Sequence, residues 1–307
     1  MNISTEKDIM ARLIDNNSLF NNIYIFNQTF DIIPDEKPHY GASIAYQDLT
    51  ELKEDFINEL YDSIVDWVYD SEKYIQLKKA AMKKGKSEQA ANSEVQRKAH
   101  AKFRKSKSAE DLLIQGQLGE LLLFHFIQRL QKAAPLLRKM KITTSSDHER
   151  FGADAIHFKF ENGKPVIVLG EAKTYTTKYR FNQAFEDAIK SILTTYSSHR
   201  QELNLYVHED FLDSEMNEIA EAYLNNTLEG VEIHLVSIVV YNETKPITQT
   251  TEADIKKQIQ TIIENRFKAF DNTKINIKNH PILSRITYIV LPIWELDKLA
   301  GDFQNKL

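Results

Sequence analysis

The chain has 307 residues, 42% of them hydrophobic and 27% charged, which is enough apolar material for one large core or two smaller ones. Thirty-nine Lys and Arg against 44 Asp and Glu leave a formal net charge of −5, so overall charge does not coat nucleic acid and any such contact must be local. There is no cysteine, which excludes disulfide frameworks, thiolate nucleophiles and cysteine-ligated zinc. The opening MNISTEKDIM has no basic region leading into an apolar stretch, and no run of about 18 apolar residues occurs, so a cytoplasmic protein with no membrane partner is expected.

The elements follow in chain order. Residues 19 to 46 alternate apolar and polar side chains and break at Pro34 and Pro38, which predicts one or two short strands and a turn. From Asp48 the period changes. Leu49, Leu52, Phe56, Leu60, Ile64, Trp67 and Val68 recur at three and four, predicting an amphipathic helix to about Asp70 with Asp48 as its cap. Residues 73 to 107 then hold twelve Lys or Arg against two Glu. That segment reads either as a solvated helical pair or as a surface for nucleic acid or an acidic partner, and its aromatic content is only Tyr74 and Phe103.

A buried helix is expected from Ser108, three residues before Asp111, to Pro135. Strands are expected at 139 to 145, in FGADAIHFKF and in PVIVLGEAK. An amphipathic helix follows with Phe181, Phe185, Ala188, Ile189, Ile192 and Tyr196 inward. NLYV reads as a weak strand, 211 to 228 as a helix, VEIHLVSIVVY as a strand, 252 to 270 as a helix and RITYIVLPI as a final strand. The fold class is therefore α/β, a mixed central sheet flanked by helices, with an N-terminal region over 1 to 108 and a second domain over 109 to 307.

Familiar phosphate and hydrolase signatures are missing. The nine glycines form neither a Rossmann fingerprint nor a P-loop, no G-x-S-x-G elbow occurs, and the nine histidines make no H-E-x-x-H pair. Carboxylate chemistry remains. The tripeptide E-x-K occurs three times, at Glu51-Leu52-Lys53, Glu171-Ala172-Lys173 and Glu243-Thr244-Lys245, so the motif alone carries little and context decides.

Asn162-Gly163 is a preferred centre for a two-residue type I′ turn. With Glu161 opposite Lys164, stepping back along both strands puts Phe158 opposite Ile167, Ile156 opposite Leu169 and Asp154 opposite Glu171, all on one face. His157 and Lys159 point the other way with Val168 and Val166. Two carboxylates so placed stand about 4.5 to 5.5 Å apart at Cβ. They repel, so either one is protonated or a divalent cation sits between them. Period two returns Lys173 to the face of Glu171. Oxygen donors favour Mg²⁺ or Mn²⁺ over zinc. Glu120 shares a helix face with Leu113, Gly116, Phe124 and Ile127, and Gly116 and Gly119 would let that helix approach the sheet, bringing a third carboxylate to the pair. The plain alternatives are a core Lys or Arg partner for Glu120 and a surface ion-pair cluster for Asp154, Glu171 and Lys173.

A Glu on a helix, G-A-D-A-I-H on one strand, G-E-A-K on the next and then an amphipathic helix resemble the PD-(D/E)xK nuclease superfamily. Within it, the run from Gly116 to Lys173, with Asp147-His148-Glu149-Arg150-Phe151-Gly152, resembles the effector nuclease family of the Hachiman anti-phage system. The resemblance spans roughly 109 to 300 and departs where Ala153 replaces the motif proline. It implies a restriction-endonuclease-like αβββαβ core and metal-dependent hydrolysis of DNA phosphodiesters. Asp154 and Glu171 would be the Mg²⁺ ligands, Glu120 an accessory ligand and the Ala172 carbonyl a further one. Lys173 would orient the attacking water or stabilise the phosphate. It also implies a helicase subunit of the same defence system as partner, which this chain, lacking a P-loop, cannot replace. The alternative is a non-catalytic module, on a vestigial nuclease fold, that binds nucleic acid or a partner through residues 73 to 107.

Overall fold

The computed structural model describes residues 6–13, 17–28, 31–103, 112–137, 152–176, 181–207 and 214–307. Two short helices, α1 (Glu6–Met10) and α2 (Asn17–Asn21), precede strands β1 (Ile23–Gln28) and β2 (His39–Ile44) and a small hairpin, β3 (Tyr46–Gln47) with β4 (Thr50–Glu51). Three helices follow: α3 (Lys53–Val68), α4 (Ser71–Lys83) and α5 (Glu88–His100). Then come α6 (Leu112–Phe126), β5 (Ala134–Leu137), β6 (Ala155–Glu161), β7 (Lys164–Tyr175), α7 (Phe181–Val207) and α8 (Ser214–Leu224). The chain closes with β8 (Glu232–Asn242), α9 (Glu252–Lys268), β9 (Ile286–Ile293) and α10 (Leu296–Lys306).

Seven strands form one mixed sheet in the order β1-β2-β9-β8-β7-β6-β5. The centre is parallel, β7 with β8, β8 with β9 and β9 with β2, while both flanks are antiparallel. A parallel strand buried on both faces must be apolar throughout, which is why β8 and β9 read as nearly continuous Val, Ile and Leu. Ile156, Phe158, Ile167 and Leu169 pack on one face with Phe181, Phe185, Ala188 and Ile192 of α7 and the apolar stripe of α9. Ala155, Val166 and Val168 pack on the other with α3, α6 and α10. The segment before residue 108, expected as a separate region, supplies β1 and β2 to this same sheet and α3 to its core.

Local corrections have physical causes. Asp48 does not cap a helix: it sits at φ +55° in the turn between β3 and β4, Leu49 beside it is 54% exposed, and α3 begins only at Lys53. Asp70 is the capping residue, accepting the backbone N–H of Lys73 at 2.6 Å to start α4. Pro135 does not stop α6. The helix passes into a π-helical turn at Ile127–Gln131, Lys132 reverses the chain at φ +51°, and Pro135 lies within β5, the edge strand, where a missing donor is tolerated. NLYV is the last turn of α7, because Leu203 and Val207, four apart, both bury into the core. The strand expected at 139 to 145, the Ser108 and Asp111 helix start and the run Asp147 to Phe151 lie outside the described residues. Among the described residues no helix is long and apolar enough to cross a membrane.

Candidate active site

The β6–β7 hairpin sets the site. Asn162 and Gly163 take φ of +53° and +75°, the left-handed pair that a type I′ turn requires. Seven cross-strand pairs run from Glu161 opposite Lys164 to Ala155 opposite Gly170, in the register the turn dictates. The ladder then ends one pair short of Asp154 and Glu171. Asp154 donates its own N–H to the Gly170 carbonyl at 3.1 Å, and its Oδ2 accepts the Ala172 N–H at 2.9 Å. In a continued antiparallel ladder that amide would face the carbonyl of Ala153. The Asp154 carboxylate thus takes over a backbone position, and the strict cross-strand pairing of Asp154 with Glu171 is replaced by a bulge-like shift that keeps Asp154 beside β7.

Ala153 is turned elsewhere, its N–H donated to Oε2 of Glu202 at 2.7 Å. Glu202 is a buried residue of α7. The preceding Gly152 has φ +129°, and a Cβ there would lie 2.2 Å from the Glu202 carboxylate, so only glycine fits.

Glu171 is 4% exposed and looks toward α7. Its Oε1 accepts from Lys173 Nζ at 3.0 Å and from Ser191 Oγ, and its Oε2 accepts from Thr195 Oγ1 at 2.9 Å. Burial pushes its carboxyl above the usual range, and the Asp154 charge adds to that, while Lys173 and the Ser191 donor pull the other way. Lys173 also lies near Asp187. There burial is outweighed by hydrogen bonds from Tyr175 at 2.7 Å and Gln183 at 2.8 Å, with the lysine charges assisting, which hold the Asp187 carboxyl low.

Lys173 and Asp154 thus both act on Glu171, although Asp154 stands outside the cross-strand pairing that the hairpin predicted. Glu120 is half-buried on α6, which packs against the opposite face: a Cβ on neighbouring Gly119 would lie 2.5 Å from Thr174 Oγ1 and 3.3 Å from Ala172 Cβ. Gly119 supplies that close approach and Gly116 does not, since among the described residues nothing lies within 4 Å of a Cβ placed there. Among the described residues no group of three or more His, Asp or Glu side chains gathers at metal-holding spacing.

The other E-x-K tripeptides are structural. Glu243, buried at the end of β8, accepts from Arg266 Nε at 3.0 Å and NH2 at 2.6 Å, and from the N–H groups of Thr244 and Lys245. Burial opposes its charge, but Arg266 and the two amides hold its carboxyl below the ordinary value. Glu51 is in β4, outside the helix, and so its carboxylate reaches Lys53 at 3.2 Å. Sequence reasoning missed Ser191, Thr195 and Glu202. Their signal is a polar line at spacings of four and seven along α7, beside the apolar stripe.

No curated protein matches the chain. Residues 18–307 match the HamA family model, almost the whole length, so the chain belongs to the HamA family, a membership that points to a component of a Hachiman defence system.

Proposed function

We propose that this chain is the nuclease effector of a Hachiman defence complex, hydrolysing DNA phosphodiester bonds with a divalent metal and working beside a partner helicase. The observation that carries the reading is Glu171, buried with the charge of Asp154 against it and the Lys173 ammonium 3.0 Å from its Oε1. A buried carboxylate whose charge is disfavoured by a second carboxylate is a site short of positive charge.

The donors fit Mg²⁺ or Mn²⁺. Asp154 and Glu171 offer only carboxylate oxygens, and Mg²⁺ commonly takes one or two carboxylates and completes its shell with water and substrate phosphate, so two protein carboxylates suffice. Such an ion supplies Lewis-acid chemistry, acidifying water and neutralising charge on a phosphoryl oxygen. Asp154 and Glu171 would hold it, with the Ala172 carbonyl on the same strand end as a further donor, and Glu120 stays an accessory candidate. Ser191 and Thr195 fix the orientation of Glu171 through both its oxygens. Lys173 presents an ammonium where it can orient a water or stabilise the charge that grows on phosphate.

The test is cleavage of plasmid DNA by the purified chain with its helicase partner, expected in Mg²⁺ and absent in EDTA. Asp154→Ala, Glu171→Ala and Lys173→Ala should each abolish it while the melting temperature stays near wild type or higher. Cleavage retained in all three variants ends the proposal. DNA binding without cleavage in any divalent metal would leave the binding-module reading.

A further inference from the structure

The α4–α5 hairpin is the main concentration of positive charge on an otherwise acidic chain. Residues 71 to 102 hold nine Lys or Arg against three Glu, while the whole protein carries −5. The two helices are tied to each other. Tyr74 Oη donates to Asn92 Oδ1 at 3.1 Å between the two helices, Lys78 pairs with Glu88 at 2.6 Å, and Glu94 binds both Lys86 and Lys98. Ala81 and Ala91 close the inner face. These pairs consume all the local acid except Glu72. Lys73, Lys79, Lys83, Lys84 and Arg97 are exposed and have no acidic partner among the described residues.

The composition of the surface selects its partner. Lysine is depleted at the core of protein interfaces, whereas it is a common donor to phosphate, so a lysine surface fits a polyanion better than a folded partner. Base stacking is not provided for. Phe103 is buried, and Tyr74 is half-buried with its hydroxyl committed to Asn92. The hairpin's two exposed large apolar residues, Ile75 and Met82, are single side chains about two helical turns apart rather than a broad patch.

We infer that the exposed lysine face of the α4–α5 hairpin is a sequence-independent docking site for the phosphate backbone of duplex DNA. It is separate from the Asp154 and Glu171 pair and tethers DNA to a chain whose remainder carries net negative charge. The inference extends the nuclease reading but does not require cleavage.

The experiment is fluorescence anisotropy of a labelled random-sequence duplex with the full chain, in EDTA so that hydrolysis plays no part, across a salt series. Wild type should bind with a log affinity against log salt slope of about −3 to −5, as for neutralising a handful of phosphates. Lys79→Glu/Lys83→Glu/Lys84→Glu should weaken binding more than tenfold and flatten the slope by about 3. The equally charged control Lys257→Glu/Lys268→Glu/Lys278→Glu should keep both the tight binding and the slope. The neutral triple Lys79→Gln/Lys83→Gln/Lys84→Gln guards against misfolding and should fall between. No binding by wild type, or equal loss in the control, overturns the inference. So does unchanged DNA binding in the hairpin variant, and if that variant also loses the partner helicase in a pull-down, the face is a protein dock. Failure of DNA binding beside intact Mg²⁺-dependent cleavage would remove this site and leave the nuclease reading standing.

Discussion

Glu202 of α7 accepts the N–H of Ala153 at 2.7 Å, so the residue immediately before Asp154 is tied to the helix whose Ser191 and Thr195 hold Glu171. One helix thereby orients both carboxylates of the site. This tie explains how a strand that has left its ladder still delivers an acid to a fixed place.

The tie predicts a severe cost at Gly152. Gly152→Ala must place a Cβ against the Glu202 carboxylate at a φ of +129°, and should lose about 2 to 4 kcal/mol in urea unfolding. Adding Glu202→Ala should recover part of that loss by removing the clash. The double variant should bind Mn²⁺ more weakly than Glu202→Gln alone, which keeps an acceptor for Ala153. Equal stability of Gly152→Ala and wild type would show that the tie is not rigid.

Glu171 should make the metal-free protein less stable at neutral pH. Its folded carboxyl is raised by burial and then by Asp154, so the contribution is favourable below the ordinary glutamate pKa and is lost as pH rises through the higher folded value. Glu171→Gln should therefore be more stable than wild type at pH 7, with the difference shrinking as pH falls below the ordinary glutamate range. Mg²⁺ should raise the melting temperature of wild type and leave Glu171→Gln unmoved. A less stable Glu171→Gln contradicts the reading of Glu171 as a strained carboxylate.

The opposite pattern is expected at Glu243. Arg266→Ala removes both charge-assisted bonds from a buried carboxylate, leaving it the Thr244 and Lys245 amides and the Tyr241 hydroxyl, and should cost about 3 to 5 kcal/mol. Metal affinity of the folded fraction should not change. Stability and metal binding thus separate the two E-x-K strand ends, and an Arg266→Ala protein as stable as wild type would show that Glu243 has other support.

His39 supplies a pH dependence far from the site. It is 1% exposed, its Nε2–H donates to the Pro34 carbonyl at 2.8 Å and its Nδ1 accepts the Tyr288 N–H at 3.1 Å, a neutral arrangement. Burial lowers its pKa from 6.5 to about 4. The stability it provides is complete above pH 6.5 and is lost as pH falls toward 4, a loss of about 3 kcal/mol. Urea midpoints measured across that window should fall for wild type and fall less for His39→Gln. Parallel curves would assign the acid sensitivity elsewhere.

Much of the site was legible because a two-residue turn leaves no freedom. Asn162-Gly163 fixes Glu161 opposite Lys164, and the apolar parity of Ile156, Phe158, Ile167 and Leu169 then fixes the face of Glu171. The departure at Asp154 was not legible, because it depends on Glu202, 49 residues from Ala153, drawing an amide out of the ladder. The side of the sheet that α6 covers was not legible for a related reason: only the packing of Gly119 on Ala172 and Thr174 reveals it. Asp48 and Pro135 failed as boundaries because each residue type also suits a turn or an edge strand, and tertiary pairing chose those uses.

The place of β2 in the sheet bears on how the chain is made. Tyr40 and Gly41 pair with Ile289 and Val290, so among the described residues the β1–β2 hairpin joins the sheet only through β9, far along the chain. On the ribosome, everything between Tyr40 and Val290 must emerge before that seam can close, and the β6–β7 hairpin with its acids is synthesised well beforehand. Truncation before β9 would leave β2 without that parallel neighbour and the parallel face of β8 bare, so synthesis of β9 is built into the architecture as a condition for a finished sheet.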